Sequence, residues 1–292
     1  MKRFIKYISL RVVALILMLF LLDILFTSIF FNKKGIRNKV EFVFQNKEKN
    51  FDYIFLGSSR VEHHIDTDFI NEKSNLKSLN MGVSGQNLSE TFLLLKLLID
   101  KEFKAKKYFI QIDESDLNAV KSKSVIGASY FMPFIKNVEV KNHFKKYDED
   151  FILNSKVPFY RYMNFGYKIG YRELLLKLNN KTREKNFFIG LEKNLADSEA
   201  SYVFEEKHQN DLLNEIKLFA QKNNLQLAFF TSPYYNPIKT EKFKSFAKRN
   251  NIVQYVDSIK EVKYFKDSDH LNIKGAKLFT KMIIRDFNLG EK

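Results

Sequence analysis

Between Val12 and Phe31 the chain reads VVALILMLFLLDILFTSIFF, about twenty residues interrupted by a single charge, Asp23. At ~1.5 Å of rise per residue, a helix of that length matches a hydrocarbon layer of roughly 30 Å. The run therefore predicts a membrane-spanning helix, with the rest of the chain folding as a domain attached to it. Asp23 costs about 2.5–3.5 kcal/mol on insertion scales, which the surrounding Leu, Ile and Phe outweigh; it either faces a partner helix or is tolerated. No small-residue cleavage pattern follows the run, so the expectation is a retained anchor rather than a removed signal.

Orientation is nearly balanced by charge, because Lys2, Arg3, Lys6 and Arg11 precede the span and Lys33, Lys34, Arg37 and Lys39 follow it. The short N-terminal side is the simpler one to leave in the cytoplasm. That predicts a single-pass protein whose residues from about 32 onward are extracytoplasmic, in a periplasm or at a cell surface. The chain has no cysteine, which removes thiol catalysis and Cys-ligated zinc from consideration. Its net charge of +15 comes from lysines scattered among acidic neighbours, as in KNVEVKNHFKKYDED, so no nucleic-acid-binding stripe is expected. The cations from Lys33 to Lys39 suit an anionic lipid surface or envelope polymer.

A chain of 292 residues with 45% hydrophobic content can bury one sizeable core plus an appendage. The expected organisation is a tip and anchor over 1–34, a polar connector over 35–50, and a folded domain over 51–292. Within that domain, FDYIFLG (51–57) is a short apolar run ending at glycine, which reads as a buried parallel strand. Further strands are predicted at 76–81, 108–112, 225–231 and 252–256, with an apolar helix over 89–101. Strands alternating with helices predict an α/β fold of three layers: a mainly parallel sheet of about five strands with helices on both faces. The stretch of about a hundred residues from 118 to 210 is far too long for a connection and predicts a helical insertion, forming a cap or partner surface.

Three short motifs fall where such a sheet places a cleft, at the carboxyl ends of its strands. Gly57-Ser58-Ser59-Arg60 follows the first strand, and Ser59 there can project its hydroxyl as a nucleophile; alternatively Ser58 and Ser59 only cap a helix. Asn80-Met81-Gly82-Val83-Ser84-Gly85-Gln86-Asn87 follows the second, with glycines that let backbone N–H groups turn toward an anionic oxygen, or form an ordinary turn. Asp267-Ser268-Asp269-His270 precedes the last helix. His270 is a natural base for a serine hydroxyl and Asp267, three residues earlier, can orient it; Asp269 ranks second, and the plainer reading is a helix-start cluster.

In that order the three motifs resemble the block pattern of the SGNH/GDSL hydrolase superfamily, and the preceding anchor resembles its membrane-anchored, DltD-like branch, whose members work with membrane-bound O-acyltransferases. The resemblance covers both ends of the domain and not the insertion. It implies a flavodoxin-like fold and a triad of Ser59, Asp267 and His270, with an oxyanion hole from Ser59 and Gly85. Two departures stand out. Ser58 replaces the family's usual Asp. The third block, usually Gly-x-Asn-Asp, here reads Ile112-Asp113-Glu114-Ser115-Asp116, so Ser115 stands where the family's Asn donor would be. The implied activity is acyl transfer through a Ser59 ester, to water or to the hydroxyl of a cell-envelope polysaccharide, with no cofactor and no metal. The alternative is a catalytically silent SGNH-like partner of a membrane-bound O-acyltransferase.

Other residues have plainer readings. His63 and His64 read as polar residues on a helix surface. Asp113, Glu114 and Asp116 read as solvated or Arg-paired carboxylates rather than a cation site, and Tyr234 and Tyr235 as the cleft rim or a cover for the sheet edge.

Overall fold

The computed structural model describes residues 1–32, 35–113, 125–181, 188–192, 202–203, 212–235, 237–238 and 241–290. A long helix α1 (Lys2–Asn32) and a short α2 (Lys39–Gln45) lead into β1 (Asn50–Gly57), α3 (Ser59–His64), α4 (Thr67–Ser74), β2 (Ser78–Gly82), α5 (Leu88–Asp100) and β3 (Lys104–Gln111). Short helices follow: α6 (Val138–Tyr147), α7 (Phe151–Lys156), α8 (Tyr160–Asn164), α9 (Gly166–Ile169) and α10 (Tyr171–Leu178). Then come α11 (Leu212–Lys222), β4 (Leu227–Phe230), β5 (Ile252–Val253) and the closing α12 (Ile273–Asp286). The chain divides into two compact units, Met1–Asn46 with Ala128–Arg183, and Lys47–Gly127 with Glu184–Lys292.

The second unit holds the predicted α/β fold. Its main sheet has five strands, all parallel, in the order β2-β1-β3-β4-β5. In β1 the consecutive residues Ile54, Phe55 and Leu56 are all fully buried, as a parallel strand covered on both faces requires. The chain steps from β1 to β2 in one direction and from β2 to β3 in the other. Right-handed crossovers then put the intervening helices on opposite faces. Phe55, Phe109 and Phe230 point to one face, where they join Val61 of α3 and Phe279 and Ile283 of α12 in a single core. By alternation Ile54, Leu56, Tyr108 and Ile110 face the other side, and α5 packs on β1 there. Each fully buried Phe contributes about 1.5–3 kcal/mol of transfer free energy. The reversal of direction at β1 opens a crevice above its carboxyl end, and there the loops after β1 and β2 emerge side by side, with Gly57 and Gly82 in register.

The five strands of this sheet differ from the expected ones only at their ends, and the structure adds a two-stranded parallel pair, Tyr202–Val203 with Pro237–Ile238, that was not expected. β3 starts earlier, at Lys104, because its first half alternates exposed and half-buried residues that lack an apolar signature. β5 is two residues long rather than five.

In the first unit, α1 is long and apolar enough to cross a membrane. From Asp23 onward one of its faces is covered: Asp23, Phe26, Ile29 and Phe30 are buried. Asp23 forms a two-pronged ion pair with Arg161 of α8, at 2.7 and 2.8 Å, and accepts the Phe159 N–H at 2.9 Å. Of the two readings of Asp23, the structure favours the partner helix, which comes from the same chain. The region after the anchor contains α2, whose Val40 and Val43 are fully buried and whose Glu41 pairs at 2.8 Å with Lys177, both side chains fully buried.

Candidate active site

β1 runs out at Gly57, and α3 starts two residues later. Ser58 is its N-cap: the Ser58 hydroxyl accepts the Arg60 N–H at 3.3 Å and donates to Asp113 at 2.7 Å. The capping reading therefore holds for Ser58, and it leaves Ser59 as the first helical residue with its hydroxyl directed elsewhere. Ser59 Oγ lies 2.8 Å from His270 Nε2. On the other side of that ring, His270 Nδ1 lies 2.9 Å from Asp267 Oδ1. A carboxylate can only accept, so Nδ1 carries the proton and Nε2 is turned toward the serine hydroxyl as an acceptor.

The local chain explains how three-residue spacing achieves this. Asp267 Oδ1 also accepts the backbone N–H groups of Asp269, at 3.0 Å, and His270, at 2.8 Å, so the carboxylate folds the turn around itself before it meets the ring. Asp269 instead accepts the Ser268 hydroxyl at 3.1 Å. Partial burial by itself raises the Asp267 pKa, but the charge of His270 and the hydrogen bonds from Asp269 and His270 outweigh it and hold the carboxyl below its ordinary value. Lys266 stands 3.5 Å from its other oxygen. The turn is tied down by the Tyr235 N–H, which donates to Ser268 O at 3.0 Å, and by Asn272, which caps α12 through the Gly275 N–H at 3.0 Å.

His63 and His64 do not lie on a solvated helix surface. His64 is fully buried, its ring standing edge-on to His270 at 6.1 Å between centroids, and its Nε2 accepts the Leu271 N–H at 3.0 Å. Burial, with the charges of Arg60, His270 and His63 adding to it, pushes its pKa well below 6.5, so it is neutral. It braces the backbone just after His270. His63 packs 5.7 Å from the His270 ring, and its Nδ1 donates to Ile189 O at 2.7 Å.

The glycine loop is built to approach α3 closely. A Cβ on Gly82 would run into the Glu62 backbone, and Gly85 adopts φ +76, a left-handed conformation that favours glycine. Asn80 staples this edge: its amide donates to Val61 O at 2.7 Å and Ile65 O at 2.8 Å, and its oxygen accepts the Gly82 N–H at 3.0 Å. Glu62 accepts both the hydroxyl and, at 3.2 Å, the N–H of Ser84. Ser115 lies outside the described residues, as do Glu114 and Asp116.

Beneath the serine turn sits a charged network with no evident signature in the sequence. The Arg60 guanidinium pairs with Asp113, donates to Ser232 O, and lies 3.4 Å above the Tyr234 ring, whose hydroxyl donates to Asp113 at 3.3 Å. Asp113 is thus Arg-paired. Tyr234 is buried beneath Arg60 rather than placed at a rim or sheet edge. The only sequence hint to Arg60 was its place beside Ser59.

Assembled in this way, the site can pass a proton from a serine hydroxyl to an imidazole steadied by a carboxylate. Among the described residues, no group of three or more His, Asp or Glu is arranged to hold a metal ion. No family model and no curated protein matches the sequence. Two solved structures are similar in chain path. One, described as "a putative platelet activating factor" from Streptococcus pneumonia, is 15% identical with a TM-score of 0.42, covering 85% of this chain and 88% of its own. The other, described as "a possible lipase" from Chitinophaga pinensis, is 12% identical with a TM-score of 0.28, covering 82% and 99%. The chemistry read from the site rests on its geometry rather than on these likenesses.

Proposed function

We propose that the chain is a membrane-anchored serine acyl-ester enzyme of the SGNH type, with Ser59 as nucleophile, His270 as base and Asp267 as its orienting carboxylate. The observation that supports this most directly is the unbroken relay of 2.8 Å from Ser59 Oγ to His270 Nε2 and 2.9 Å from Nδ1 to Asp267. In the first step Oγ forms a bond to the ester carbonyl carbon while its proton moves to Nε2. The carbonyl oxygen takes the negative charge, with the backbone N–H groups of Ser59 and Gly85, and Ser115 at the third block, as its donors. Collapse expels the alcohol, which takes the proton from Nε2. Water or an acceptor hydroxyl then gives its proton to Nε2, attacks the acyl group, and returns Ser59 with its proton restored.

The acceptor in this reading is a hydroxyl of a cell-envelope glycan or polymer. The apolar helix α1 anchors the chain with its N-terminus in the cytoplasm and residues 51–292 outside, and tethering beside a membrane-bound O-acyltransferase raises the local concentration of the acyl carrier. One observation favours a second reading, a silent binding partner of such an acyltransferase: Ser115 stands where the third block would supply an Asn donor. A fluorophosphonate probe and a chromogenic acetyl ester separate the two. Wild type labels and turns over and Ser59→Ala does neither; equal behaviour of the two proteins rejects serine catalysis.

A further inference from the structure

We propose that the helices of the insertion between Phe151 and Leu178 lie immersed in the outer leaflet of the membrane, held at that depth by the anchor helix itself. The inference rests on α1 crossing the bilayer and goes beyond the reading of the active site. It begins with where the insertion grips α1. Asp23 pairs with Arg161, Thr27 Oγ1 lies 2.8 Å from the Tyr162 hydroxyl, and the Phe26 ring packs 4.9 Å from Phe159 and 5.3 Å from Tyr171. Asp23 stands eight residues before Phe31, about 12 Å along the helix at ~1.5 Å per residue. Counted from the other end, the stretch from Val12 to Asp23 spans about 16 Å of a hydrocarbon layer of roughly 30 Å. On both counts α8 and α10 meet α1 inside the acyl region.

The outer surface of these helices matches that depth. Ile152 is 70% exposed, Met163 and Tyr171 63% each, and Leu175 58%, and Tyr167 is exposed as well. Large apolar side chains left bare in this number are disfavoured in water and at home in lipid. Tyrosines are enriched at the interface, where the ring is buried and the hydroxyl wet, and the exposed Lys156 and Arg172 can reach headgroup phosphates. The Asp23–Arg161 pair fits the same placement, since a lone carboxylate in hydrocarbon is expensive and a matched, two-pronged pair neutralises it.

The chain contains no tryptophan, so a single introduced one reports alone. Full-length Leu17→Trp, Met163→Trp and Leu175→Trp are reconstituted in phosphatidylcholine vesicles with brominated acyl chains, and the loss of emission is compared with N-acetyltryptophanamide in the same buffer. All three positions are exposed, so the substitutions disturb no packing. The expected result is that Met163→Trp and Leu175→Trp lose emission and shift to the blue as Leu17→Trp does. If Leu17→Trp is quenched while the other two match the free indole, those helices face water, this inference is overturned and the anchor stands. If Leu17→Trp is itself unquenched, the anchor reading falls and this one with it.

Discussion

Asp267→Asn removes one charge from the relay and leaves its geometry in place. Asp267 Oδ1 accepts three N–H groups, from the His270 ring at 2.9 Å, His270 N at 2.8 Å and Asp269 N at 3.0 Å. An asparagine oxygen can accept the same three. Turning its NH₂ toward the two backbone N–H groups would set donors against donors, so the backbone holds the amide in register and Nδ1 keeps its proton. What is lost is the negative charge that steadies the imidazolium formed as Ser59 gives up its proton. A hydrogen bond to a charged group contributes about 1.5–3 kcal/mol, against about 0.5–1.5 kcal/mol for a neutral one. The Asp267 side chain is 40% exposed, so solvent screening lowers the difference. A loss of about 1–1.5 kcal/mol corresponds to a roughly tenfold fall in the acylation rate. Asp267→Ala loses the charge, the tautomer control and both backbone acceptors, and should be slower by about 10³-fold or more. The assay is the second-order rate of fluorophosphonate labelling of the full-length protein, with thermal melting measured alongside. An Asn variant as slow as the Ala variant would show that the backbone donors do not hold the tautomer. An Asn variant as fast as wild type would show that the carboxylate takes no part.

Arg60→Ala takes the cation from a buried carboxylate and should cost about 3–5 kcal/mol in chemical denaturation; adding Asp113→Asn should recover part of that loss, and strict additivity of the two substitutions would count against the pair. His64 is buried neutral, so below about pH 6.5 the unfolded chain binds a proton that the folded chain refuses, and stability is lost as pH falls by up to about 1.4 kcal/mol per unit. His64→Gln should flatten that dependence between pH 7 and 5, as read from denaturation midpoints; an unchanged slope rejects the assignment. Gly85→Ala forces a Cβ into a left-handed backbone 2.8 Å from the Ile126 Cβ, at about 1–2 kcal/mol for the conformation alone. Labelling by the probe should slow in this variant even at temperatures well below its melting point.

The parts of the molecule that announce themselves in sequence are those governed by short-range rules. A strand covered on both faces must be apolar throughout, so β1 stands out as FDYIFLG, and Asp267 and His270 meet through a turn only four residues long. The meeting of Ser59 with His270 follows from sheet order rather than from any local pattern, since both sit above the carboxyl ends of the strands. What stayed hidden were contacts whose partners are distant and whose residue types are usually solvated. Arg60 pairs with Asp113, and Glu41 with Lys177, each in surroundings that no periodicity marks. His64 looked like a surface histidine because nothing in SRVEHH reveals that α12 will close over it. Asp23 left two readings open because its counter-ion lies far along the chain in a segment with no clear pattern.

That ion pair has a practical consequence for anyone handling the protein. Beginning the chain after residue 34, the ordinary way to make an anchored domain soluble, would discard Asp23, Phe26, Ile29 and Phe30. Arg161 would lose its counter-ion, and the aromatic rings of Phe159 and Tyr162 would be stripped of the helix they pack on. The trimmed product should clump or require detergent, and its poor behaviour would reflect a missing piece of its own interior rather than a badly chosen boundary.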